Sequence, residues 1–386
     1  MKILFVSEVY HPILNGVVIS MDYFKRELER QGHSVFILAP YNYRDGNDEK
    51  NVFRAPSLPL SRSLDYFLAL PNWITLETAK HLKPDIVHSH HIWRMGAFGQ
   101  RIAAELEIPF VQTYHTLMES YVHKIKLLRY LPFTKNLTKA YIINHSRKFC
   151  NQAQTVISPS CAMKKILKSY KITAPIEVIS TGINPDLFKF KNKSKIYQEF
   201  KIPQNNKILT FVGRLAYEKN VSMLLNAYKL IASECPATTL LILGDGPQKT
   251  EYENQAKKLG LEKKVIFTGF IDPRKTKDIF CSSDLFTFPS VTDTQAIVIL
   301  EAMIAGAVPV AVNKLGPTDF VKNGYNGYLT SNNPTKFSQA VIKLIKNPKI
   351  HQRFQTEAKR TALDFTIEKQ TAKLIELYQR MVSKKR

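Results

Sequence analysis

Two cations follow a strand-like segment in the second half of the chain, five residues apart. The apolar run KILTFV (207–212) leads into a turn at Gly213, and Arg214 and Lys219 come next. In a parallel sheet, ligands bind outside the carboxyl ends of the strands. Arg and Lys at that edge can hold a diphosphate and neutralise it as a leaving group. Taken alone, however, the pair is more typical of a loop with two surface cations.

A polar, acidic loop leads into a helix-like segment further along the chain. The segment FPSVTDTQAIVILEAMIAG (288–306) predicts a strand end, a loop with Asp293, an apolar helix with Glu301, and a glycine stop. A helix start presents backbone N–H groups and a positive dipole end, which suits a diphosphate. The donors would come from the first residues of this helix, Ala296, Ile297 and Val298. A purely structural interpretation, a capped helix with a buried salt bridge, would also account for Asp293 and Glu301. It would not explain why a strand end, a polar loop, the acidic residues and a glycine occur in this order.

A second glycine turn and several polar residues complete the set of candidates. Gly244 lies in LILGDGP (241–247), which resembles a phosphate or ribose loop and is also ordinary turn chemistry. In the first half, Gly16 follows the first strand-like run and His115 ends another. At the carboxyl edge of a strand, His115 is better explained as functional than as structural. The structural interpretation is favoured for three other histidines, which have no second ligand cluster and so predict no metal site: His88, His90 and His91.

Alternating strands and helices must position these residues. Short apolar runs that end in polar residues alternate with helical segments, and the pattern restarts near residue 207. This alternation predicts α/β architecture with parallel sheets covered by helices on both faces. We expect a Rossmann-like domain over residues 1–190, a second over 200–365, and a last helix over 366–386 that packs back on the first domain. The Lys- and Asn-rich stretch from Phe188 to Gln204 is the predicted linker.

The bulk composition indicates a folded protein with a large excess of positive charge. The 386 residues are 44% hydrophobic, and 55 Lys and Arg against 32 Asp and Glu give a net charge of +23. This excess suggests an anionic partner, although a lysine-rich solvated surface would also produce it. No nucleic-acid-binding module is recognisable, so nucleic acid is not an expected partner. Unpaired cysteine spacing, and the absence of a signal peptide or a long apolar run, predict a cytoplasmic location.

The positive charge is concentrated in one acid-free segment. Between Glu119 and Glu177 there is no Asp or Glu, and Lys, Arg and aromatic residues are interleaved. Each basic residue near an anionic bilayer contributes about 1 kcal/mol. Neighbouring apolar side chains can enter the headgroup region, although some of them would also fit a core. We predict that residues 120–171 dock the protein on an anionic membrane surface.

Five motifs occur in order along the chain: HPILNGVV (11–18), GRLAYEKN (213–220), GDGP (244–247), PSVTDTQAIVILEAMIAGAVPV (289–310) and NGYNGYL (323–329). Together they resemble the retaining glycosyltransferases of family 4. That family has the GT-B fold, in which two Rossmann-like domains face each other across a cleft. The chain departs from the family pattern at Asp293, where Glu is usual, and at Ala296, where glycine is usual.

The resemblance implies a nucleotide-sugar donor, with UDP-glucose as the default, and no tightly bound cofactor or essential metal. Arg214 and Lys219 would hold the diphosphate in place of a metal ion and stabilise it as it leaves. Glu301 would bind the ribose and Asp293 the sugar hydroxyls. His115 would face the donor sugar. The remaining donor-side residues would be the glycines and the helix start: Gly16, Gly213, Gly244, Ala296, Ile297 and Val298. A retaining enzyme of this kind needs no strong protein nucleophile, because the leaving phosphate can take the acceptor proton.

A narrower resemblance concerns the acceptor. TDTQ (292–295), QTYHTLMESYVHKIK (112–126) and the basic segment that follows are similar to bacterial 1,2-diacylglycerol 3-glucosyltransferases. This similarity implies a hexosyltransferase, peripherally associated with the inner face of the cell membrane, that moves glucose to diacylglycerol. Two alternatives stay open: a glycosyltransferase of lipopolysaccharide or polysaccharide assembly, and a sugar-nucleotide epimerase on the same fold.

Overall fold

The computed structural model describes residues 1–42, 50–61, 66–119, 132–190 and 192–384. Its contacts divide the chain into two compact units. The first, here the N-terminal unit, comprises Met1–Gly182 and Ile367–Arg386. The second, the C-terminal unit, comprises Ile183–Thr366.

The N-terminal unit is built on a parallel sheet. Its seven described strands run in the order β3-β2-β1-β6-β7-β8-β9: β1 Lys2–Val6, β2 Ser34–Pro40, β3 Val52–Ala55, β6 Ile86–Ser89, β7 Phe110–Thr113, β8 Thr155–Ser158 and β9 Ile176–Val178. A separate antiparallel hairpin pairs β4 Ser57–Ser61 with β5 Tyr66–Ala69. The helices are α1 Gly16–Arg30, α2 Trp73–Leu82, α3 Arg94–Glu105, α4 Pro132–Cys150, α5 Cys161–Ser169 and α14 Ile367–Ser383.

Apolar burial explains how these elements associate. Residues 3–6 of β1 are fully buried, as expected for a central parallel strand that is covered on both faces. Helix α1 begins after Asn15, whose side chain accepts from the N–H groups of Val17 and Val18. The last helix, α14, buries Leu374 and Leu377 in the same core as α1 and β1.

The C-terminal unit repeats the plan with six described strands in the order β12-β11-β10-β13-β14-β15, all parallel. The strands are β10 Lys207–Val212, β11 Thr238–Leu243, β12 Val265–Gly269, β13 Leu285–Phe288, β14 Val308–Val312 and β15 Tyr328–Thr330. The helices are α6 Lys193–Glu199, α7 Val221–Glu234, α8 Lys249–Lys258, α9 Pro273–Ser282, α10 Ile297–Ala305, α11 Pro317–Phe320, α12 Pro334–Lys346 and α13 Pro348–Leu363. The predicted α/β class with two Rossmann-like units is confirmed.

The predicted linker contains more structure than its composition indicates. Residues 193–199 form helix α6, which buries Ile196 and Tyr197. They pack in one cluster with Ile202 and with residues of β10 and β11. Two buried apolar positions among many Lys and Asn residues are too few to indicate a helix by their spacing. Among the described residues, no helix has both the length and the apolar character needed to cross a membrane.

Candidate active site

An ion pair joins two loops of the C-terminal unit that carry predicted site residues. Lys219 ends a short 3-10 turn after β10, and Asp293 lies in the loop between β13 and α10. The Lys219 Nζ is 2.7 Å from Asp293 Oδ1 and 2.9 Å from Oδ2. Both side chains are about one-fifth exposed, at 20% and 22%. The fold therefore brings together a cation and a carboxylate that the sequence separates by 74 residues.

Asn220 ties the same two loops together, and sequence reasoning missed it. It adopts a left-handed backbone conformation with φ 57°, which Asn tolerates better than most residues, directly before α7. Its side-chain amide donates to the carbonyl oxygen of Pro289 at 3.1 Å and to Oδ1 of Asn332 at 2.7 Å. The Ser290 hydroxyl donates to the carbonyl of Glu218 at 3.3 Å. The sequence signal for Asn220 was its position between the loop with Arg214 and Lys219 and the apolar helical stretch that begins at Val221.

The start of α10 has an unusual backbone. Ala296 occupies the position before the helix with φ 63° and ψ 52°, a left-handed conformation that favours glycine. Its methyl group provides no side-chain cap for the helix. The first N–H groups of any α-helix have no partner within the helix, so this helix start is suited to an anionic ligand. The conformation gives a physical reason why glycine is the usual residue here.

A glycine that the sequence analysis did not single out supports the acidic loop. The N–H of Gly316 donates to the carbonyl of Asp293 at 2.9 Å. A Cβ at Gly316 would lie 2.4 Å from the carbonyl oxygen of Gln295, closer than side chains approach. Only glycine lets the loop after β14 lie against the loop that carries Asp293. The LGP triplet at 315–317 was a turn signal, but its partner could not be read from it.

Gly213 and Gly244 pack directly against each other. A Cβ at Gly244, which has φ 134°, would lie 2.0 Å from the carbonyl oxygen of Gly213. Gly246, also missed, is similar, since its Cβ would lie 2.3 Å from the carbonyl of Leu215. Gly244 and Gly246 therefore permit backbone-to-backbone packing of the loop after β11 against the loop after β10, which accounts for these two glycines without a ligand. A Cβ at Gly213 would meet only ordinary contacts, the nearest 3.4 Å away in the ring of Phe211.

The other predicted donor-side residues are spread around this core. Arg214 is exposed at the carboxyl end of β10. In helix α10, Ile297, Val298 and Glu301 are half-buried. Glu301 thus follows the left-handed start of the helix by one turn or more, on the same element that carries the backbone donors.

The N-terminal unit holds the remaining two predicted residues. Gly16 opens α1, and a Cβ there would meet no atom within 4 Å, so the unit itself does not require glycine at this position. His115 follows β7, and its Nε2 lies 3.0 Å from Nδ1 of His90. Burial lowers the pKa of His115 well below its usual value, as do the neighbouring His91 and His88. His115 is therefore a neutral imidazole near pH 7.

Glu8, at the end of β1, is a titratable group that the sequence analysis passed over. Its Oε1 accepts from the backbone N–H of Met95 at 2.6 Å, which caps the start of α3. Burial raises the pKa of Glu8 to about 6, and the hydrogen bonds from the backbone N–H groups of Met95 and Gly96 oppose the rise. Within the part of the chain that the structure describes, no cluster of three or more His, Cys, Asp or Glu side chains has the arrangement of a metal site.

Part of the predicted membrane segment lies outside the described residues. Residues 120–131, with Lys124, Lys126 and Arg129, belong to that part, so their role stays a prediction. The described part includes helix α4. In it Leu137 is 70% exposed and Tyr141 is 63% exposed, one helical turn apart.

Comparison with known proteins defines the class. Residues 14–187 match the family described as Glycosyltransferase Family 4, and residues 192–361 match Glycosyl transferases group 1. The fold is shared by HepE of Anabaena, whose structure was solved with UDP and glucose. The two chains superpose with a TM-score of 0.76 at 18% identity, over 98% of this chain and 100% of HepE. The protein is an enzyme of the GT-B glycosyltransferase class.

The curated relatives support the same conclusion. The alpha-monoglucosyldiacylglycerol synthase of Streptococcus pneumoniae is 33% identical over 319 residues, which cover 81% of this chain and 71% of the relative. The synthase of the same name from Acholeplasma laidlawii is 28% identical, with coverage of 91% and 89%. The chain belongs to glycosyltransferase family 4, as its motifs predicted, and is a hexosyltransferase.

Proposed function

We propose that the protein transfers glucose from UDP-glucose to a diacylglycerol-type membrane lipid with retention of configuration. The observation that carries the donor side is the Lys219–Asp293 pair beside the left-handed start of α10. The lipid acceptor is supported by the two relatives, which are named for α-monoglucosyldiacylglycerol.

The donor would bind the C-terminal unit by exchanging one ion pair for another. A diphosphate carries more charge than a carboxylate, so it would compete with Asp293 for Lys219. Arg214 and the first N–H groups of α10, at Ile297 and Val298, would add further donors. The released Asp293 carboxylate could then accept hydrogen bonds from sugar hydroxyls.

The ribose and the sugar would be read by other groups. Glu301 would accept from the ribose hydroxyls, since it lies about one helical turn beyond the diphosphate donors at the start of α10. Gly16 would allow a backbone segment to approach the donor phosphates, because the N-terminal unit leaves the space of its missing side chain open. His115 would contact the donor sugar as a neutral imidazole.

The transfer step would need no protein nucleophile. The bond between the sugar C1 and the phosphate oxygen breaks while the acceptor hydroxyl oxygen bonds to C1 on the same face. The leaving phosphate takes the acceptor proton, and Lys219 and Arg214 stabilise the charge that develops on it. Donor and acceptor together supply every atom of glucosyl lipid and UDP.

Membrane association would bring the enzyme to its acceptor. Leu137 and Tyr141 lie one turn apart on α4, and Lys148 lies two turns further along the same side. An apolar pair followed by a cation on one helix face suits insertion at the headgroup level of an anionic bilayer.

The defining experiment supplies UDP-glucose, UDP-galactose or GDP-mannose with vesicles that contain diacylglycerol. We expect glucosyl lipid from UDP-glucose, with an α-anomeric proton in the product by NMR. A β-anomer would exclude retention. A converted nucleotide sugar with no acceptor present would support the epimerase alternative. Transfer to oligosaccharide or lipopolysaccharide, and none to diacylglycerol, would support the polysaccharide alternative.

A further inference from the structure

A buried histidine contacts His115 from inside the N-terminal unit. His90 is 2% exposed, and its Nδ1 lies 3.0 Å from Nε2 of His115. The two rings are stacked, with centroids 5.2 Å apart and planes 21° apart. His90 in turn contacts the ring of Phe5 edge-on, at 4.7 Å between centroids. The position of the His90 ring is therefore fixed by β1 and β6, independently of His115.

The second nitrogen of His90 distinguishes it from its neighbour His88. Both nitrogens of His88 are hydrogen-bonded, Nδ1 to the hydroxyl of Tyr378 and Nε2 to that of Thr113, each at 2.6 Å. Nε2 of His90 is buried and has no hydrogen-bond partner within the described part of the chain. His90 lines a cavity of about 10 Å³, at the lower limit for a single water.

The chemistry of this arrangement favours one distribution of protons. Burial lowers the pKa of His90 and of His115 well below the usual value, so each ring is neutral and carries one N–H. One nitrogen of the 3.0 Å pair must donate and the other accept. If His115 donated, the N–H of His90 would lie on Nε2 without a partner. Among buried backbone groups, an N–H without a partner is rarer than an acceptor without one, and we apply the same preference to the His90 ring.

We propose that His90 is the positioning residue for His115: it donates its Nδ1–H to His115 Nε2, holds that ring in place, and so puts the His115 proton on Nδ1. The importance of this arrangement for catalysis rests on the proposed function, in which His115 contacts the donor sugar. The tautomer itself does not depend on that function.

Kinetics test the positioning with two variants of different chemistry. His90→Leu fills the site but cannot donate, whereas the Nδ2–H of Asn in His90→Asn lies near the place of the lost Nδ1–H. We expect His90→Leu to lower kcat by about 10- to 100-fold, since small misplacements of a substrate-contacting group have effects of this size. We expect His90→Asn to recover most of that loss. Equal kcat values for both variants, low or normal, would overturn the proposal.

Tyr378→Phe is the matched control, because it also removes one hydrogen bond from a buried histidine of the same cluster. Its melting temperature should fall while its kcat stays within about twofold of wild type, since the His90–His115 pair is untouched. A kcat loss equal to that of His90→Leu would mean that general loosening of the cluster is responsible, and would overturn the positioning role.

NMR of protein labelled with ¹⁵N at histidine separates this inference from the proposed function. The His115 signals, identified with His115→Asn, should show a protonated Nδ1 and an unprotonated Nε2 in the wild type. A protonated Nε2 would overturn the proposal. If His115→Asn keeps full transferase activity while the Nδ1–H tautomer is observed, the assigned role of His115 fails and the His90 inference stands.

Discussion

The ammonium nitrogen of Lys219 contacts both carboxylate oxygens of Asp293, at 2.7 Å and 2.9 Å. The pair is only about one-fifth exposed, so solvent screens it less than a surface pair. It holds the cation against the loop that leads from β13 into α10. In the proposed reaction the same cation moves from the carboxylate to the donor diphosphate, and the carboxylate becomes available to the sugar.

We predict that Lys219→Ala and Glu301→Ala each lower transferase activity at least about a hundredfold without unfolding the chain. Loss of the Lys219 donor to a developing negative charge costs roughly 2.7–4 kcal/mol in the transition state. Loss of Glu301 removes charged hydrogen bonds from the ribose hydroxyls, each worth roughly 1.5–3 kcal/mol. Steady-state kinetics with UDP-glucose measure the effect, and circular dichroism checks folding. Lys346→Ala is the matched control, since Lys346 also forms a 2.7 Å ion pair, with Glu234, on an exposed surface of the same unit. Near-normal turnover in both site variants would exclude the assignment.

A double-mutant cycle tests whether the ion pair acts as a unit. The proposed reaction separates the pair, with Lys219 on the diphosphate and Asp293 on the sugar, so the losses of the two single variants should add in the double variant Lys219→Ala/Asp293→Ala. A double variant that is no less active than the worse single variant would contradict this and would show that Asp293 serves only to position Lys219.

We predict that Ala296→Gly stabilises the protein. A left-handed conformation costs a residue with a Cβ roughly 1–2 kcal/mol, and the greater freedom of glycine in the unfolded state offsets part of that gain. A net increase of about 1 kcal/mol in the free energy of unfolding is expected from urea titration. Ala302→Gly, in the interior of the same helix, should instead lower stability by at least about 0.5–1 kcal/mol. The same sign for both variants would contradict the backbone argument.

We predict that His88 makes the N-terminal unit sensitive to acid. Burial lowers its pKa from 6.5 to about 3, so the unfolded chain binds the proton more tightly. The associated stability is fully present above pH 6.5 and is lost as the pH falls toward 3. Between about pH 7.5 and 4.5, wild type should lose roughly 2–3 kcal/mol more than His88→Asn. Parallel pH profiles for the two proteins would contradict this.

Glu8 should have the opposite dependence. Its pKa is raised from 4.5 to about 6 by burial, so its contribution to stability is present below pH 4.5 and is lost as the pH rises through 6. Glu8→Gln keeps an oxygen for the Met95 N–H and cannot ionise. Relative to wild type, this variant should gain up to about 2 kcal/mol between about pH 4.5 and 7.5. A constant difference across that range would refute the raised pKa.

We predict that the exposed side of α4 contributes to binding of anionic vesicles. Leu137→Ser/Tyr141→Ser should reduce the binding that persists at high salt, because that part comes from apolar insertion. Lys139→Gln/Lys148→Gln should reduce binding mainly at low salt, by about 1 kcal/mol for each engaged lysine. Sedimentation with neutral and anionic vesicles measures both effects.

The control for the membrane experiment makes the same change of charge elsewhere. Lys257→Gln/Lys258→Gln alters two exposed lysines at the end of α8 and should bind vesicles as wild type does. Equal losses in the control and the α4 variants would mean that only total charge matters. Indifference of the wild type to vesicle charge would remove the docking hypothesis.

Much of the fold could be predicted because it depends on local patterns. Short apolar runs followed by amphipathic helices specify βα units, and β10 has the bounds of the strand-like run KILTFV, Lys207–Val212. The helix in the predicted linker was missed because only two of its residues, Ile196 and Tyr197, are buried. A pattern that short carries little periodic signal.

The sequence by itself determined the α/β class, the family, and which residue types gather near strand ends, because these properties follow from composition and spacing along the chain. Only the tertiary structure decided which of them meet. The pairing of Lys219 with Asp293 and of His115 with His90 depends on strand order, and no local pattern encodes it. The left-handed angle of Ala296 was likewise visible only in the structure. At Gly316 the requirement comes from tertiary packing, since two loops lie so close together that a Cβ would be 2.4 Å from the carbonyl oxygen of Gln295.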